Sequence, residues 1–187
     1  VEYWNFVDWT LEWPWIAANR IGGVPKGARN DGQSSILTMQ LAYAASRAAE
    51  LHQELGDLHK ATTYQTLAKS LTNATYQHCW DKQKNYLADT PEKSDFSMHA
   101  QIFGVLTNTI PEKDQQPFIL RFINDKSLFQ PTMYFRFYLT QALKKCGLAN
   151  HYLETLDLWK EMINKGLTTF AENPDPARSD CHAWSSS

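Results

Sequence analysis

Apolar side chains recur at alternating steps of four and three along residues 35–55. They fall at Leu37, Leu41, Ala44, Ala48, Leu51 and Leu55. Such spacing marks one face of an α-helix, so the pattern predicts a helix over 35–55. Gly56-Asp57 interrupts it, and Asp57 can cap a second helix that runs from there toward Trp80. The apolar positions of that second helix are Ala61, Tyr64, Ala68 and Leu71. These two segments predict an antiparallel helical hairpin.

A second hairpin is predicted after a polar connection. Residues 81–93 contain Pro91 and predict a loop with a short strand at Tyr86-Leu87. Helical spacing then resumes over 94–107, and Pro111 suits the first turn of the helix that follows.

The third predicted hairpin begins with a helix of a different character. Over 132–146, apolar and aromatic side chains surround the helix axis, which indicates a helix buried on most sides. Gly147 is placed to end it. Residues 148–165 return to an amphipathic pattern. The apolar face of this last helix carries Tyr152, Leu156, Trp159 and Ile163.

Three helical hairpins predict an all-α fold. Hairpins of unequal loop length, without a strict short repeat, resemble about half of an (α/α)6 toroid, in which outer helices enclose inner ones. A helical bundle or a superhelical scaffold fits the same periodicity. The toroid interpretation divides the chain into an aromatic loop segment over 1–33, three hairpins over 34–165 and a terminal loop over 166–187.

Composition narrows the classes of function. A chain of 187 residues, of which 43% are hydrophobic, is long enough for one domain with a core. The formal charge of −2 and the lack of a basic run argue against a nucleic-acid partner. No stretch reaches the ~18 to 20 consecutive apolar residues of a membrane span. Because Val1-Glu2-Tyr3-Trp4 already forms an aromatic cluster, we expect the natural N-terminus to lie upstream.

The three cysteines predict neither a disulfide framework nor a metal site. Cys79, Cys146 and Cys181 form no CxxC pair and leave one thiol over in any pairing, so we interpret them as core thiols. His78 precedes Cys79 and His182 follows Cys181, but neighbours in sequence rarely share one tetrahedral ion. We expect no metal and no cofactor.

Two segments concentrate aromatic and ionisable residues, at 4–9 and at 166–184. A pyranose presents apolar C–H faces and many hydroxyls, so a sugar site uses indole faces, carboxylates, imidazoles and a positioned acid or base. Trp4 and Trp9 can be packing residues or stacking platforms. An ionised Asp8 between them needs donors nearby, so it either caps backbone N–H groups or faces a polar cavity.

Glu172 lies in a segment that cannot continue as a helix. It follows the last predicted helix and precedes Pro174 and Pro176, which places it on a loop. By position alone, a loop glutamate is a solvated surface residue and His182 a structural hydrogen-bonding residue.

Longer motifs change this interpretation. The segments Gly166-Leu167-Thr168-Thr169-Phe170-Ala171-Glu172 and Asp175-Pro176-Ala177-Arg178-Ser179-Asp180-Cys181-His182-Ala183-Trp184-Ser185 resemble the block that ends the catalytic barrel of bacterial alpha-L-rhamnosidases. Trp4-Asn5-Phe6-Val7-Asp8-Trp9 resembles that family's mid-barrel segment. The resemblance covers essentially the whole chain. It implies an (α/α)6 barrel that hydrolyses terminal alpha-L-rhamnosyl linkages with inversion.

The resemblance also implies roles for individual residues. Glu172 matches the family's general base, Trp9 a tryptophan that lines the rhamnose pocket, and His182 a histidine that hydrogen-bonds the sugar. The remaining candidate substrate-side residues are Trp4, Asp8, Arg178 and Trp184.

The family's general acid has no counterpart here. In that family the acid lies in an Asp- and Arg-rich segment with a Gly-Trp turn, upstream of the mid-barrel motif. We therefore expect a missing N-terminal half of the barrel to supply it, and we expect the isolated chain to be inactive on its implied substrate, a rhamnose-containing glycan or glycoside. Exposed helical faces would then favour a homodimer or a poorly soluble species. The sequence leaves the bacterial compartment open among periplasm, extracellular space and cytoplasm.

Two other classes of function remain. The first is another enzyme on the same architecture, such as a sugar epimerase, a uronyl hydrolase or a trehalase-like hydrolase. The second is a helical protein-binding scaffold, for which repeating surface positions are expected.

Overall fold

The computed structural model describes residues 5–18, 20–172 and 181–186. Trp4 and Arg178, two of the predicted substrate-side residues, lie outside the described residues. The helices are α1 (Ala28–Asp31), α2 (Ser35–Glu54), α3 (Leu58–Cys79), α4 (Met98–Leu106), α5 (Glu112–Phe122), α6 (Met133–Lys145) and α7 (Asp157–Asn164), with 3-10 helices at Ala149–Thr155 and Ala183–Ser186. The strands β1 (Trp80–Asp81) and β2 (Tyr86–Leu87) pair antiparallel. The all-α prediction is confirmed.

The chain forms two compact units, Val1–Gln130 and Pro131–Ser187. The first unit contains α1 to α5 and both strands. The second contains α6, α7 and the two 3-10 helices. None of the described helices is long and apolar enough to cross a bilayer.

The hairpin of α2 and α3 forms where the sequence predicts it. Ser34 caps α2, because its side chain accepts a hydrogen bond from the Leu37 N–H. Asp57 caps α3 in the same way, with its Oδ1 3.1 Å from the Lys60 nitrogen. Gly56 joins the helices at φ 78°, in the left-handed region that glycine adopts without strain.

The apolar face that the sequence identified on α2 is not the face that enters the core. Leu41, Leu51 and Leu55 are 52%, 59% and 71% exposed. The buried hydrophobic residues of α2 are instead Ile36, Met39, Ala42, Ala45 and Ala49. The small side chains of the alanines form the buried face, and the leucines are left as a second, exposed apolar face.

The helix that is buried on all sides is α4 rather than α6. All nine residues of Met98–Leu106 are buried. In α6, Phe137 is 42% exposed and Tyr134 and Tyr138 are half-buried, so the prediction for 132–146 is wrong in this respect. Basic residues in the last turn of α6 keep that end of the helix in solvent, whereas α4 carries no charged group apart from one histidine.

The second unit breaks the helix predicted over 148–165. The 3-10 helix Ala149–Thr155 ends before α7 begins at Asp157. Arg136 contacts both sides of the break, because its guanidinium donates to the Thr155 carbonyl and pairs with the Asp157 carboxylate. Met162, rather than the predicted Ile163, points into the core, where it clusters with Met133 and Ala171.

The cysteines occupy three different environments. Cys79 is buried, and desolvation raises the pKa of its thiol to about 11. Cys146 is half-buried, and Cys181 is exposed, so the core-thiol interpretation is wrong for Cys181. Cys181 lines a cavity of the second unit, so its thiol is not enclosed in a packed core.

Candidate functional site

The first candidate segment is a loop that doubles back on itself, here called the aromatic loop (described residues of 5–24). The amides of Val7 and Asp8 both donate to the Gly23 carbonyl, at 2.7 and 3.1 Å. Gly23 in turn donates to the Trp13 carbonyl at 2.9 Å. These bonds tie the beginning of the loop to its end.

A close approach in the aromatic loop requires glycine at position 23. Gly23 has φ 67°, and a Cβ at this position would lie 2.6 Å from ring atoms of Phe6. Any other side chain would therefore force the Phe6 ring or the backbone to move.

Trp9 belongs to a partly exposed group of aromatic rings in this loop. Its ring centroid lies 5.2 Å from that of Phe6 and 6.4 Å from that of Trp15. Trp9 is half-buried and Trp15 is 47% exposed. A half-buried indole held between neighbours keeps part of its surface available, as a stacking platform requires. Contact of Trp9 with sugar stays a prediction.

Asp8 is buried, with 1% of its surface exposed. Its Oδ1 accepts the Trp9 N–H at 2.9 Å, and its Oδ2 lies 2.8 Å from Nε2 of His99. Oδ1 therefore caps a backbone N–H group, which is one of the two roles that the sequence leaves open for Asp8. The other oxygen contacts an imidazole in the interior.

His99 is the residue of this group that sequence reasoning missed. It lies on α4, is fully buried, and packs against Trp13 at a ring-centroid distance of 4.7 Å. The available signal was the presence of Ser97, His99 and Gln101 within an apolar helix, because buried polar side chains need partners.

Ser97 and Gln101 anchor the start of α4. Gln101 Oε1 accepts from the Leu87 N–H at 2.8 Å, while its Nε2 donates to the carbonyls of Leu87 and Ser97. Ser97 caps α4 and donates its hydroxyl to Oδ1 of Asp89 at 2.6 Å. Asp89 Oδ1 also accepts the Ser97 N–H.

Asp89 is a fully buried carboxyl without a cationic contact among the described residues. Burial raises its pKa to about 7, and the two hydrogen bonds from Ser97 offset only part of that effect. Its Oδ2 has no hydrogen-bond partner in the described part of the chain. The charge of Asp89 is therefore expected to change near neutral pH.

Glu172 lies in the second unit, on a loop as predicted and half-buried. Its neighbour Ala171 is fully buried in the cluster with Met133 and Met162. Because Ala171 is held in the core, the backbone of Glu172 is anchored from its N-terminal side.

The residues after the undescribed stretch 173–180 return to this loop. His182 donates its backbone N–H to the Phe170 carbonyl at 2.7 Å. The Ser185 hydroxyl lies 3.5 Å from the Glu172 carbonyl oxygen, and the Trp159 indole donates to the Ser185 carbonyl. One main-chain hydrogen bond and one contact of the Ser185 hydroxyl thus bring 170–172 and 182–185 together.

Two predicted side chains pack together in this unit. The rings of His182 and Trp184 meet edge to face with centroids 5.1 Å apart, and Trp184 also contacts Tyr134. His182 is half-buried, and its Nδ1 is a buried atom without a partner among the described residues.

A cavity of about 600 Å³ opens beside these residues. It lies within the size range of small-molecule sites. Its lining is mostly apolar and includes Trp159, Leu167, Phe170 and His182. Glu172 is not among the lining residues, although Phe170, two residues before it in the sequence, and His182, ten residues after it, are.

The predicted site residues therefore fall into two groups. Asp8 and Trp9 belong to the first unit, and Glu172, His182 and Trp184 belong to the second. Within the described ranges, no three His, Cys, Asp or Glu side chains are grouped as metal ligands.

Two solved structures share this fold. One is a rhamnosidase from Klebsiella oxytoca with rhamnose bound, with a TM-score of 0.71 and 24% identity over 81% of this chain and 32% of that chain. The other is a GH78 family rhamnosidase of Bacillus sp. GL1, with a TM-score of 0.72 and 20% identity over 97% of this chain and 20% of that chain. No family model and no curated protein sequence matches the chain.

The matches cover about a third and a fifth of those two proteins. At these identities the likeness shows the fold: the chain is all-α and has the fold of part of a rhamnosidase. The prediction of an all-α fragment of a larger helical fold is confirmed.

Proposed function

We propose that this chain is part of the catalytic domain of an inverting glycoside hydrolase that releases terminal alpha-L-rhamnosyl groups, with Glu172 as the general base. The observation that carries the proposal is that hydrogen bonds bring the segment that contains Glu172 beside the segment that contains His182 and Trp184, in a chain with the fold of part of two rhamnosidases.

The proposed reaction uses two carboxyl groups on opposite sides of the sugar. Glu172 takes a proton from a water molecule as the water oxygen bonds to the anomeric carbon. The bond from that carbon to the leaving oxygen breaks, and a general acid protonates the leaving oxygen. Inversion requires the two carboxyl groups to stand ~6.5 to 9.5 Å apart, so that the water fits between them.

The binding residues have chemistries that suit a deoxy sugar. Trp9 offers an indole face to the apolar side of the ring. His182 lines the cavity of the second unit, and its imidazole has the chemistry to hydrogen-bond a sugar hydroxyl. Trp184, which is 44% exposed, and Arg178 and Trp4 complete the proposed substrate side.

The acid is proposed to come from a preceding half of the barrel. The matched rhamnosidases are several times longer than the matched part of this chain, which leaves room for such a half. The exposed leucines of α2 offer it an apolar surface, and in its absence a second copy of the chain can cover that surface. The isolated chain is therefore proposed to be inactive.

The test is hydrolysis of an aryl alpha-L-rhamnoside by the full-length protein that carries this sequence. Glu172→Gln should lower kcat by ~10²- to 10⁴-fold, the usual contribution of a general base. Glu161→Gln is the matched control. Glu161 lies on α7 of the same unit, near the surface, and forms an ion pair with Lys165 just after that helix. Equal rates for the wild-type protein and Glu172→Gln would refute the assignment of the base.

A second arm tests whether the chain is incomplete. The isolated chain should show no turnover on the same substrate. Turnover by the isolated chain that is abolished by Glu172→Gln would show that its own residues include the acid.

A further inference from the structure

We propose that His99 is a positioning residue of the sugar site: through the Asp8 carboxylate it fixes the aromatic loop, and with it the orientation of Trp9, without touching the sugar. This inference rests on the proposed function and adds to it a residue that no sequence motif singled out.

A short chain of contacts leads from α4 to Trp9. His99 Nε2 lies 2.8 Å from Asp8 Oδ2, and Asp8 Oδ1 accepts the Trp9 N–H at 2.9 Å. Because the two oxygens belong to one planar carboxylate, the imidazole sets the plane of the group that holds the Trp9 backbone. Displacement of His99 is therefore transmitted to Trp9 by a single side chain.

The base of this arrangement is rigid. His99 is fully buried and packs against Trp13, another residue of the aromatic loop. Gln101 and Ser97 fix the first turns of α4 to β2 and to Asp89. The loop is thus joined to the innermost helix of its unit, while Trp9 itself stays half-buried.

Stability alone does not explain a histidine at this position. A buried polar pair adds little net stability compared with apolar residues of similar volume, because both groups lose their hydration. Such a pair instead fixes the orientation of the two side chains, since a hydrogen bond accepts only a narrow range of distances and angles. A fixed orientation of Asp8 is useful because the half-buried Trp9 next to it must present one face of its indole to a ligand.

The test compares substitutions that remove the contact with one that removes a neighbouring buried contact. His99→Leu eliminates the bond to Asp8, and His99→Gln restores a donor at about the position of Nε2. Gln101→Met is the matched control. It removes a fully buried polar side chain from the same helix, but that side chain bonds to β2 and to Ser97 rather than to the aromatic loop.

In the full-length protein, His99→Leu should raise KM for an aryl alpha-L-rhamnoside by at least about tenfold, since small misplacement at a binding site has effects of this size. Its kcat should stay within about threefold, because the proposed base lies on another loop. His99→Gln should recover most of the KM change, and Gln101→Met should lower the thermal unfolding midpoint without altering KM. An unaltered KM in folded His99→Leu, or an equal rise in Gln101→Met, overturns the proposal.

Amide hydrogen exchange separates this inference from the proposed function. Exchange at the Trp9 amide should be faster in His99→Leu than in Gln101→Met, and this readout needs no substrate. A wild-type protein that is inert toward rhamnosides refutes the function, while the exchange rates still decide the role of His99. Where His99→Leu does not fold, His99→Phe removes the same contact with a planar ring in place of the imidazole and must give the same changes in exchange and KM.

Discussion

Replacement of Asp89 by asparagine should remove a large part of the pH dependence of stability in the first unit. Asp89 is fully buried, and its pKa is raised from 3.8 to about 7, mainly because burial disfavours the charged form. At pH values between 3.8 and about 7, Asp89 keeps its proton in the folded state and releases it in the unfolded state. Stability due to this group is therefore greatest at low pH and is lost as the pH rises from about 4 to about 7.

The magnitude follows from the pKa difference. A difference of about three pKa units corresponds to about 4 kcal/mol between the low- and high-pH limits. Between pH 5 and pH 8, which spans the upper part of this window, the expected loss is about 2 to 3 kcal/mol. For a chain of this size, such a loss shifts the unfolding midpoint by roughly 5 to 10 °C.

The assay is urea unfolding at pH 5 and pH 8, followed by circular dichroism. Asp89→Asn keeps an oxygen that can accept both hydrogen bonds from Ser97, but it carries no titrating group. Its new amide N–H groups are buried, and this cost is the same at every pH, so the variant should be less stable than the wild-type protein at pH 5 but should itself change little in stability between pH 5 and pH 8. The quantity to compare is the change from pH 5 to pH 8 within each protein.

Asp125→Asn is the control. Hydrogen bonds from Ser127 lower the pKa of Asp125, so its carboxyl is ionised in both states throughout pH 5 to 8. The variant should therefore keep the wild-type pH dependence. The reasoning is refuted if Asp89→Asn loses as much stability between pH 5 and pH 8 as the wild-type protein does.

Three further predictions follow from local packing. In urea unfolding, Gly23→Ala should lower the free energy of unfolding by about 1 to 3 kcal/mol more than Gly56→Ala does. Both glycines have a positive φ, but only a Cβ at Gly23 would meet a neighbouring side chain, the Phe6 ring. Equal losses would contradict the close approach at Gly23. Trp9→Ala in the full-length protein should raise KM for an aryl rhamnoside about tenfold, equivalent to about 1.4 kcal/mol of lost binding, and an unchanged KM would remove Trp9 from the site. The isolated chain should self-associate in light scattering. Leu51→Glu with Leu55→Glu should reduce the association, since both side chains are mostly exposed, Leu51 on α2 and Leu55 directly after it. A concentrated wild-type monomer would contradict this prediction.

Local signals in the sequence were sufficient for the positions of most helices. The cap at Asp57, the strand at Tyr86–Leu87 and the start of α5 after Pro111 depend on residues within a few positions of each other. Such short-range preferences can be recognised in one sequence.

Which face of a helix is buried, and where a helix breaks, was harder to predict, because these features depend on contacts with residues distant in sequence. The helix α2 has two apolar faces, and the alanine-rich one is buried while the leucine-rich one is exposed. The break at Leu156 is contacted on both sides by Arg136, a residue from another helix. Neither outcome is visible in the periodicity of the segment itself.

Motifs identified the candidate site only in part. Trp9 and Glu172 stand out because their segments resemble a known family. His99 does not, since its contact with Asp8 joins residues 91 positions apart. A buried histidine in an apolar helix predicts some partner, but only the fold shows which one.

Chemical rescue tests the central claim most directly. The full-length Glu172→Ala protein, supplied with azide and an aryl alpha-L-rhamnoside, has no base to activate water, but azide needs none in order to attack the anomeric carbon. The account predicts that azide restores turnover and yields a rhamnosyl azide of inverted configuration, identified by proton NMR. Turnover of Glu172→Ala at the wild-type rate without azide, or a rescued product with retained configuration, would contradict it.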